Sequence, residues 1–207
     1  MTQPVKYRTD PDGMVAVAYE DADRTSSKYY ATQMLPAPEG EGASSWVYRG
    51  VLDITILEKW LNLTADTAER RGLPQAWLLA VIYAESRGDA KAEAPDGGWG
   101  LMQITHPSLK AGFTKEQVFM PATNVSIGAN TLLKHAKASQ ELPVIASCYN
   151  AGGAAWGVAH PSEQSPWGLR ETVGYISRVV AANNAAVAWL KRGVCSKLWK
   201  RKILQVS

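Results

Sequence analysis

Glu85 stands at the end of an apolar stripe on a predicted helix, a position suited to acid catalysis. The stripe is Trp77, Leu78, Val81 and Ile82, and the next position on the same face is Glu85. Burial disfavours the charged form of a carboxylate and raises its pKa. A carboxylic acid that stays protonated near neutral pH can act as the general acid that breaks a glycosidic bond. A glutamate at a helix end can also turn to solvent, so amphipathicity alone leaves both interpretations open.

Glu85 opens a series of short motifs that follow one another along the chain. They are Glu85-Ser86, Gly100-Leu-Met-Gln-Ile104, Cys148-Tyr-Asn-Ala-Gly152 and Glu171-Thr-Val-Gly-Tyr-Ile-Ser-Arg178. In order and spacing they resemble the soluble lytic transglycosylase family. The segment of residues 124–129 is also similar to that family's intervening helix, and the resemblance covers roughly residues 53–180.

The resemblance implies a lysozyme-like α+β fold, predominantly α-helical, with a cleft for alternating N-acetylglucosamine and N-acetylmuramic acid. Glu85 takes the position of the family's sole catalytic carboxylate. It would protonate the glycosidic oxygen and then act as base on the 6-hydroxyl of muramic acid, which closes on C1 to give a 1,6-anhydro product. The N-acetyl group of the substrate can stabilise the developing positive charge, so no second carboxylate is required.

Other motif residues are predicted to bind substrate or to orient Glu85. The predicted substrate-binding residues are Ser86, Met102, Gln103, Tyr149, Asn150 and Tyr175. The amide of Gln103 can donate and accept hydrogen bonds to sugar groups, and Met102 offers an adaptable apolar wall. Ser86 is expected to bond backbone or substrate, since no Gly-x-Ser-x-Gly nucleophile elbow surrounds it. For Met102 and Gln103 the alternative role is packing at a helix start.

Two tyrosines and one asparagine are predicted to complete the site. Tyr149 and Tyr175 can place their phenol hydroxyls near Glu85, although both rings would also suit an ordinary core. Asn150 could bind the acetamido carbonyl of the sugar or cap the turn that follows. Three loop tryptophans, Trp99, Trp156 and Trp167, could stack on sugar faces or anchor their loops, and the sequence leaves both roles open.

The chain departs from the family pattern just after Glu85. Gly88, Asp89 and Ala90 stand where the family usually has Phe, Asn and Pro. Asp89 and Asp96 add two carboxylates close in sequence to the acid. Either could position a water and turn cyclisation into hydrolysis, as in the related goose-type lysozymes. A muramidase acting as endolysin therefore remains an alternative, as does a non-catalytic structural virion protein that keeps the fold.

The chain divides into three predicted parts. Residues 1–52 form a poorly patterned N-terminal extension, rich in Thr, Ser, Asp, Gly and Pro, with one alternating run at 15–19. Residues 53–180 form the predicted catalytic domain, and 181–207 a basic C-terminal helix or tail. Predicted helices begin near Asp53, with a Thr55–Glu58 capping box, and near Pro74, and further helices are predicted at 122–138, 143–150 and 170–192.

Basic residues are concentrated at the C-terminal end of the sequence. Residues 178–207 carry seven Lys or Arg and no acid, within a chain of net charge +3. Such a segment could meet an anionic polymer or a membrane surface, but the solvated face of a terminal helix is favoured, because basic termini are common. No nucleic-acid partner is expected.

Two cysteines and three histidines show no spacing typical of a metal site. Cys148 and Cys195 are too few for a disulfide framework, and His106, His135 and His160 are expected to be ordinary surface or loop residues. The sequence therefore predicts no metal, and no cofactor is predicted.

The residues after Met1 contain no apolar run typical of a signal peptide, and no stretch is long and apolar enough for a membrane span. A cell-wall enzyme without its own export signal suggests a bacteriophage protein, made in the host cytoplasm and acting in the periplasm or cell wall. We expect it to be virion-associated. Its predicted partners are peptidoglycan glycan strands and other virion proteins, the latter reached through residues 1–52 and the basic tail.

Overall fold

The computed structural model describes the main chain of most of the catalytic region and of short N-terminal segments. The described residues are 6–9, 15–19, 44–45, 52–137, 139–151 and 169–204. Side chains are described for residues 52–137, 139–150 and 175–193.

Helices dominate the described residues. A 3₁₀ helix, α1, spans Ile54–Trp60, and it is followed by α2 (Leu61–Arg71), α3 (Gln75–Ser86), α4 (Pro107–Lys110), α5 (Lys115–Phe119), α6 (Pro121–Ala136), α7 (Leu142–Ala151) and α8 (Leu169–Leu204). The short helices α4 and α5 were not predicted from the sequence. They contribute few buried side chains, and a helix of one turn shows too little periodicity to be recognised.

The helix that carries Glu85, α3, lies at the centre of the fold. Its residues 78–82 are completely buried, because α1, α2 and α8 all contact it. The sequence predicted a helix with one apolar stripe, whereas the structure shows a helix that is apolar around most of its circumference. Glu85 and Ser86 in its last turn are only partly buried, so the polar groups lie where the helix leaves the core.

Local capping sets where these helices begin and end. Asp53 caps α1 through a hydrogen bond from the Thr55 amide to its Oδ1 (3.0 Å), so the predicted capping box beginning at Thr55 is wrong by two residues. Gly72, with φ of 64°, ends α2 in the left-handed conformation that glycine adopts readily. Arg87 ends α3 in the same conformation, and its amide donates to the Tyr83 carbonyl. The chain therefore turns away directly after Glu85 and Ser86.

The N-terminal segment contributes a small antiparallel sheet. Its strands β1 (Lys6–Thr9), β2 (Val15–Tyr19) and β3 (Ser44–Ser45) are arranged in the order β1-β2-β3. Tyr7 pairs with Val17, and Ala18 pairs with Ser45. The alternating run at 15–19 is β2, which also contacts α8. The sequence indicated this one strand but not its partners, because pairing depends on residues far apart in the chain.

The helix α8 links the site to the basic end of the sequence. It continues without a break through the domain boundary predicted at residue 180, and Ala182, Ala186 and Val187 belong to the same core cluster as α3. Beyond the core, Lys191 and Arg192 are exposed. Among the described helices, none combines the length and the apolar character needed to cross a bilayer.

Candidate functional site

Glu85 and Tyr175 meet where α3 packs against α8. The Tyr175 hydroxyl donates a hydrogen bond of 2.7 Å to Oε1 of Glu85. The Tyr175 ring is almost completely buried, which leaves its hydroxyl little freedom to turn elsewhere. These residues are ninety positions apart in the sequence, so the packing of the two helices creates the pair.

The surroundings of Glu85 raise its pKa from an ordinary 4.5 to about 7. Burial is the main cause, because it disfavours the charged carboxylate. The hydrogen bond from Tyr175 and the positive charge of Arg178 oppose this rise, and the negative charge of Asp96 adds to it. A carboxyl group with a pKa of about 7 exchanges its proton readily near neutral pH, so Glu85 can donate a proton and later accept one.

Tyr149 holds the chain next to the site instead of bonding to Glu85. Its hydroxyl donates to the main-chain carbonyl of Met102 over 2.9 Å. Burial and the nearby negative charge of Glu85 raise the pKa of both Tyr149 and Tyr175 well above 10, so both phenols stay protonated hydrogen-bond donors. The predicted orienting role is thus seen for Tyr175, while Tyr149 fastens a loop.

That loop, residues 92–104, is called the glycine loop here and is held mainly by its own backbone. The amide of Gly100 donates to the Ala92 carbonyl (2.8 Å), and Trp99 and Ile104 exchange a pair of hydrogen bonds. The Gln103 side-chain amide nitrogen donates to the carbonyls of Ala92 and Gly100 (3.0 and 2.9 Å). Gln103, predicted to bind sugar, therefore uses its amide nitrogen to close the loop.

Asn124 on α6 holds the glycine loop through side-chain hydrogen bonds, a role that was not predicted from the sequence. Its side chain accepts from the Met102 amide (2.8 Å) and donates to the carbonyls of Trp99 (2.8 Å) and Val118 (2.9 Å). A side chain at Gly100 would collide with Asn124, and Gly100 has a φ of 73°. The sequence did contain a signal for this role. Asn124 is a polar residue on the apolar face of a predicted helix, and it begins the segment 124–129 that is similar to the family's intervening helix.

Ser86 and Met102 also serve the loop. The Ser86 hydroxyl donates to the Leu101 carbonyl (2.7 Å) and accepts from the Gly88 amide (3.2 Å), in agreement with the expected bond to backbone. Met102 was predicted to form an apolar wall of the cleft. The structure instead places its side chain fully inside the core against Gly128, which leaves it no surface for a sugar to touch.

Asn150 and the two extra carboxylates, Asp89 and Asp96, are exposed. Asn150 is at the end of α7, next to Tyr149, and its predicted contact with substrate stays a prediction. Asp89 accepts a hydrogen bond from the Lys91 amide (2.8 Å), and Asp96 accepts one from the Gly98 amide (3.2 Å). Of the two carboxylates, Asp96 is the one whose charge acts on Glu85.

Trp99 anchors the glycine loop to the short helices. The ammonium of Lys110 lies 3.6 Å from the centre of its ring and also donates to the Gly97 carbonyl over 2.6 Å. The Phe119 ring is stacked against Trp99 with centroids 6.0 Å apart. These contacts favour the anchoring role over an open sugar platform. Trp156 and Trp167 lie outside the described residues.

The part of the chain that the structure describes holds no cluster of three or more His, Cys, Asp or Glu that could bind a metal ion. His106 is exposed and caps α4, and His135 is half-buried on α6. Cys148 was not expected to belong to a disulfide framework. It is a half-buried free thiol, and this burial raises its pKa. His160 and the side chain of Cys195 fall outside the described residues.

Comparisons with known proteins place this chain in a family. The model of the transglycosylase SLT domain matches residues 62–165, half of the chain. It includes the sequence of α3, the glycine loop and α7, whereas α8 lies beyond the match. A search of curated proteins finds no match to this sequence.

Several solved structures share the fold. An inactive mutant of the lytic transglycosylase Slt from Pseudomonas aeruginosa is 21% identical, with a TM-score of 0.54, and the match covers 63% of this chain and 24% of that chain. The 70-kDa soluble lytic transglycosylase from Escherichia coli is 23% identical, with a TM-score of 0.55, over 66% and 26%. A complex of the 70-kDa soluble lytic transglycosylase with bulgecin A is 22% identical, with a TM-score of 0.56, over 67% and 26%.

This chain spans about a quarter of the length of those structures, and likeness at such identity shows a shared fold. It confirms the predicted lysozyme-like, predominantly helical architecture. Because the family model matches half of the sequence, including the helix that carries Glu85, the chain belongs to the transglycosylase SLT domain family.

Proposed function

We propose that this chain is a peptidoglycan lytic transglycosylase. It cleaves the β-1,4 bond between N-acetylmuramic acid and N-acetylglucosamine and forms 1,6-anhydromuramic acid. The observation that carries the proposal is the state of Glu85, a partly buried carboxyl group with a pKa of about 7 that accepts a hydrogen bond from Tyr175. Membership of the transglycosylase SLT domain family supports peptidoglycan as the substrate.

The proposed reaction uses Glu85 twice. The protonated carboxyl donates its proton to the glycosidic oxygen as the bond from C1 to that oxygen breaks, and the N-acetyl group of muramic acid stabilises the positive charge at C1. The resulting carboxylate is stabilised by the Tyr175 hydroxyl and by the charge of Arg178. It then takes the proton of the C6 hydroxyl as that oxygen bonds to C1, which returns Glu85 to its starting state.

Residues of the glycine loop and its neighbours shape the proposed cleft. Ser86, Met102 and Tyr149 act mainly through main-chain contacts and packing, which fix the loop beside Glu85. Gln103 and Asn150 remain the predicted substrate contacts, since neither is fully buried. Amide side chains at such positions can bind the hydroxyl and acetamido groups of the sugars.

Substitution of Glu85 tests the proposal. Glu85→Gln keeps the size of the side chain and an oxygen that accepts from Tyr175, but it cannot transfer a proton. Release of fragments from purified peptidoglycan is expected to fall by at least about a hundredfold, while circular dichroism stays that of the folded protein. Glu69→Gln, an exposed position on α2, is the matched control and should lyse normally. Full lysis by the Glu85 variant would refute the assignment.

Mass spectrometry of the released fragments separates the proposed reaction from hydrolysis. Anhydromuramic ends, lighter by one water, are expected from the wild-type protein. A muramidase is the second candidate, because the charge of Asp96 acts on Glu85 and its carboxylate could position a water. If the wild-type protein releases only hydrated ends and Asp96→Asn releases fewer of them, the protein is a muramidase. A folded wild-type protein without any turnover would instead indicate a structural virion protein.

We also propose that a bacteriophage uses this activity to open the cell wall, with the chain carried in the virion. The support is two segments outside the family match, residues 1–52 and the basic tail, which are candidate attachment elements. Quantitative proteomics of purified virions is the test. A fixed copy number per particle is expected, whereas presence in the lysate alone would indicate an endolysin.

A further inference from the structure

We propose that Arg178 is a positioning residue for Glu85, which holds the Tyr175 ring in place and favours the ionised carboxylate that forms when Glu85 donates its proton. This inference rests on the proposed function, because it assigns a task within the two-step reaction of Glu85. Arg178 acts through Tyr175 and through its charge, and it is not assigned a contact with substrate.

The geometry begins with the register of α8. Arg178 follows Tyr175 by three positions, so both side chains project from the same face, one turn apart. The guanidinium carbon lies 5.8 Å from the centre of the Tyr175 ring, within the range of a cation–π contact. The Tyr175 hydroxyl in turn donates to Glu85. Tyr175 therefore contacts both Arg178 on α8 and Glu85 on α3.

The charges around Glu85 show what Arg178 contributes. Burial raises the pKa of Glu85, and Asp96 of the glycine loop raises it further. The Tyr175 hydrogen bond and the Arg178 charge lower it. Tyr149 reaches the site from α7, but its phenol stays neutral because its own pKa is well above 10. Among these groups, Arg178 supplies the positive charge.

A single carboxyl group that works as acid and then as base needs both of its states to be accessible. Burial alone favours the protonated acid and would oppose the donation of its proton to the glycosidic oxygen. A positive charge held near the carboxylate offsets part of that cost, since opposite charges favour the ionised form. Arg178 therefore helps Glu85 to release its proton in the first half of the reaction near neutral pH.

Arg178 differs from the two other cations of α8 whose side chains the structure describes. Lys191 and Arg192 on the same helix are exposed, whereas Arg178 is half-buried beside the site. Arg192 lies fourteen residues further along α8, a separation of about 21 Å along the helix axis. Arg192 is the same residue type on the same helix but lies far from Tyr175, the partner of Glu85. It is therefore a matched control.

The test compares Arg178→Gln with Arg178→Lys, which keeps the charge, and with Arg192→Gln. One readout is a carbon-13 NMR titration of the Glu85 carboxyl in protein labelled at glutamate, with the resonance assigned by Glu85→Gln. The second is the pH profile of kcat/KM for release of fragments from purified peptidoglycan, whose alkaline limb reports the acid in the free enzyme.

Arg178→Gln is expected to move the Glu85 titration and the alkaline limb together to higher pH. Arg178→Lys should stay near the wild-type values, and Arg192→Gln should not move them. The inference is overturned if Arg178→Gln leaves the titration in place or moves it no more than Arg192→Gln. Arg178→Met, which retains an apolar stem, must give the same shift and serves if the Gln variant does not fold. The NMR titration needs no turnover, so it remains readable even if the proposed activity is absent.

Discussion

The contact between α3 and α8 and the glycine loop build two sides of the same site in different ways. The helices bring Glu85, Tyr175 and Arg178 together by apolar packing along much of their length. The glycine loop is fixed by main-chain hydrogen bonds, by glycines at positive φ and by the side chain of Asn124. At the helix contact, burial together with Tyr175 and Arg178 sets the charge state of Glu85, whereas in the glycine loop hydrogen bonds set the shape of the site. The two properties should therefore respond to different substitutions.

The largest effect is expected from removing the side chain of Asn124, which holds the glycine loop. Asn124→Ala leaves the Met102 amide and the carbonyls of Trp99 and Val118 without this partner in a fully buried place. We expect a loss of roughly 3 kcal/mol in the free energy of unfolding, a fall in Tm of about 10 °C, and a matching loss of activity.

Asn130→Ala on the exposed side of the same helix is the control and should change stability by less than about 0.5 kcal/mol. Thermal denaturation of both variants is the measurement. Equal stability of the Asn124 variant and the wild type would show that the loop does not depend on this side chain.

A second prediction concerns how the raised pKa of Glu85 makes the free energy of unfolding depend on pH. The pKa of Glu85 is about 7 in the folded protein and near 4.5 in the unfolded chain, so the folded state holds the proton more tightly. The contribution of protonated Glu85 to the stability of the folded protein is fully present below pH 4.5 and is lost as the pH rises through 7. Glu85→Gln has no such titration. It should gain up to about 3 kcal/mol over the wild type by pH 8.

Denaturant unfolding of the wild type and of Glu85→Gln at pH 4 and pH 8 measures this difference. The gain should appear at the higher pH and vanish at the lower one. A constant difference across the range would mean that burial does not shift the titration of Glu85.

The two tyrosines give the smallest and sharpest contrast. Tyr175→Phe removes the hydrogen bond that favours ionised Glu85, so the pKa of Glu85 rises and the alkaline limb of kcat/KM moves to higher pH. Tyr149→Phe removes the donor to the Met102 carbonyl and should leave the limb in place. Each should cost about 1 kcal/mol of stability. If both variants move the limb equally, the helix side and the loop side are not separable.

Much of the architecture was accessible from the sequence. Long helices with strong apolar patterns were predicted within a few residues, as at α6 and α7. Single-turn helices and the partners of β2 were not, because their stability comes from tertiary contacts. The motif order led to the family that the SLT domain match confirms.

The site was only partly predictable for a related reason. Glu85 and Tyr175 could be singled out by position and motif, and the structure joins them by a hydrogen bond. Met102 and Tyr149 were also singled out, yet one is core and the other fastens a loop. A motif marks which residues are near the site, but it does not tell which atom of each residue faces it.

The sequence by itself determined the long helices, the order of the motifs and the placement of a carboxyl group at the end of an apolar helix. These follow from local pattern, which depends on neighbours a few residues away. Only the tertiary structure decided that Tyr175 bonds to Glu85, that the charge of Arg178 acts on Glu85, and that Asn124 holds the loop. Hydrogen bonds and electrostatic interactions depend on distance and burial, and both are fixed only when distant segments pack together.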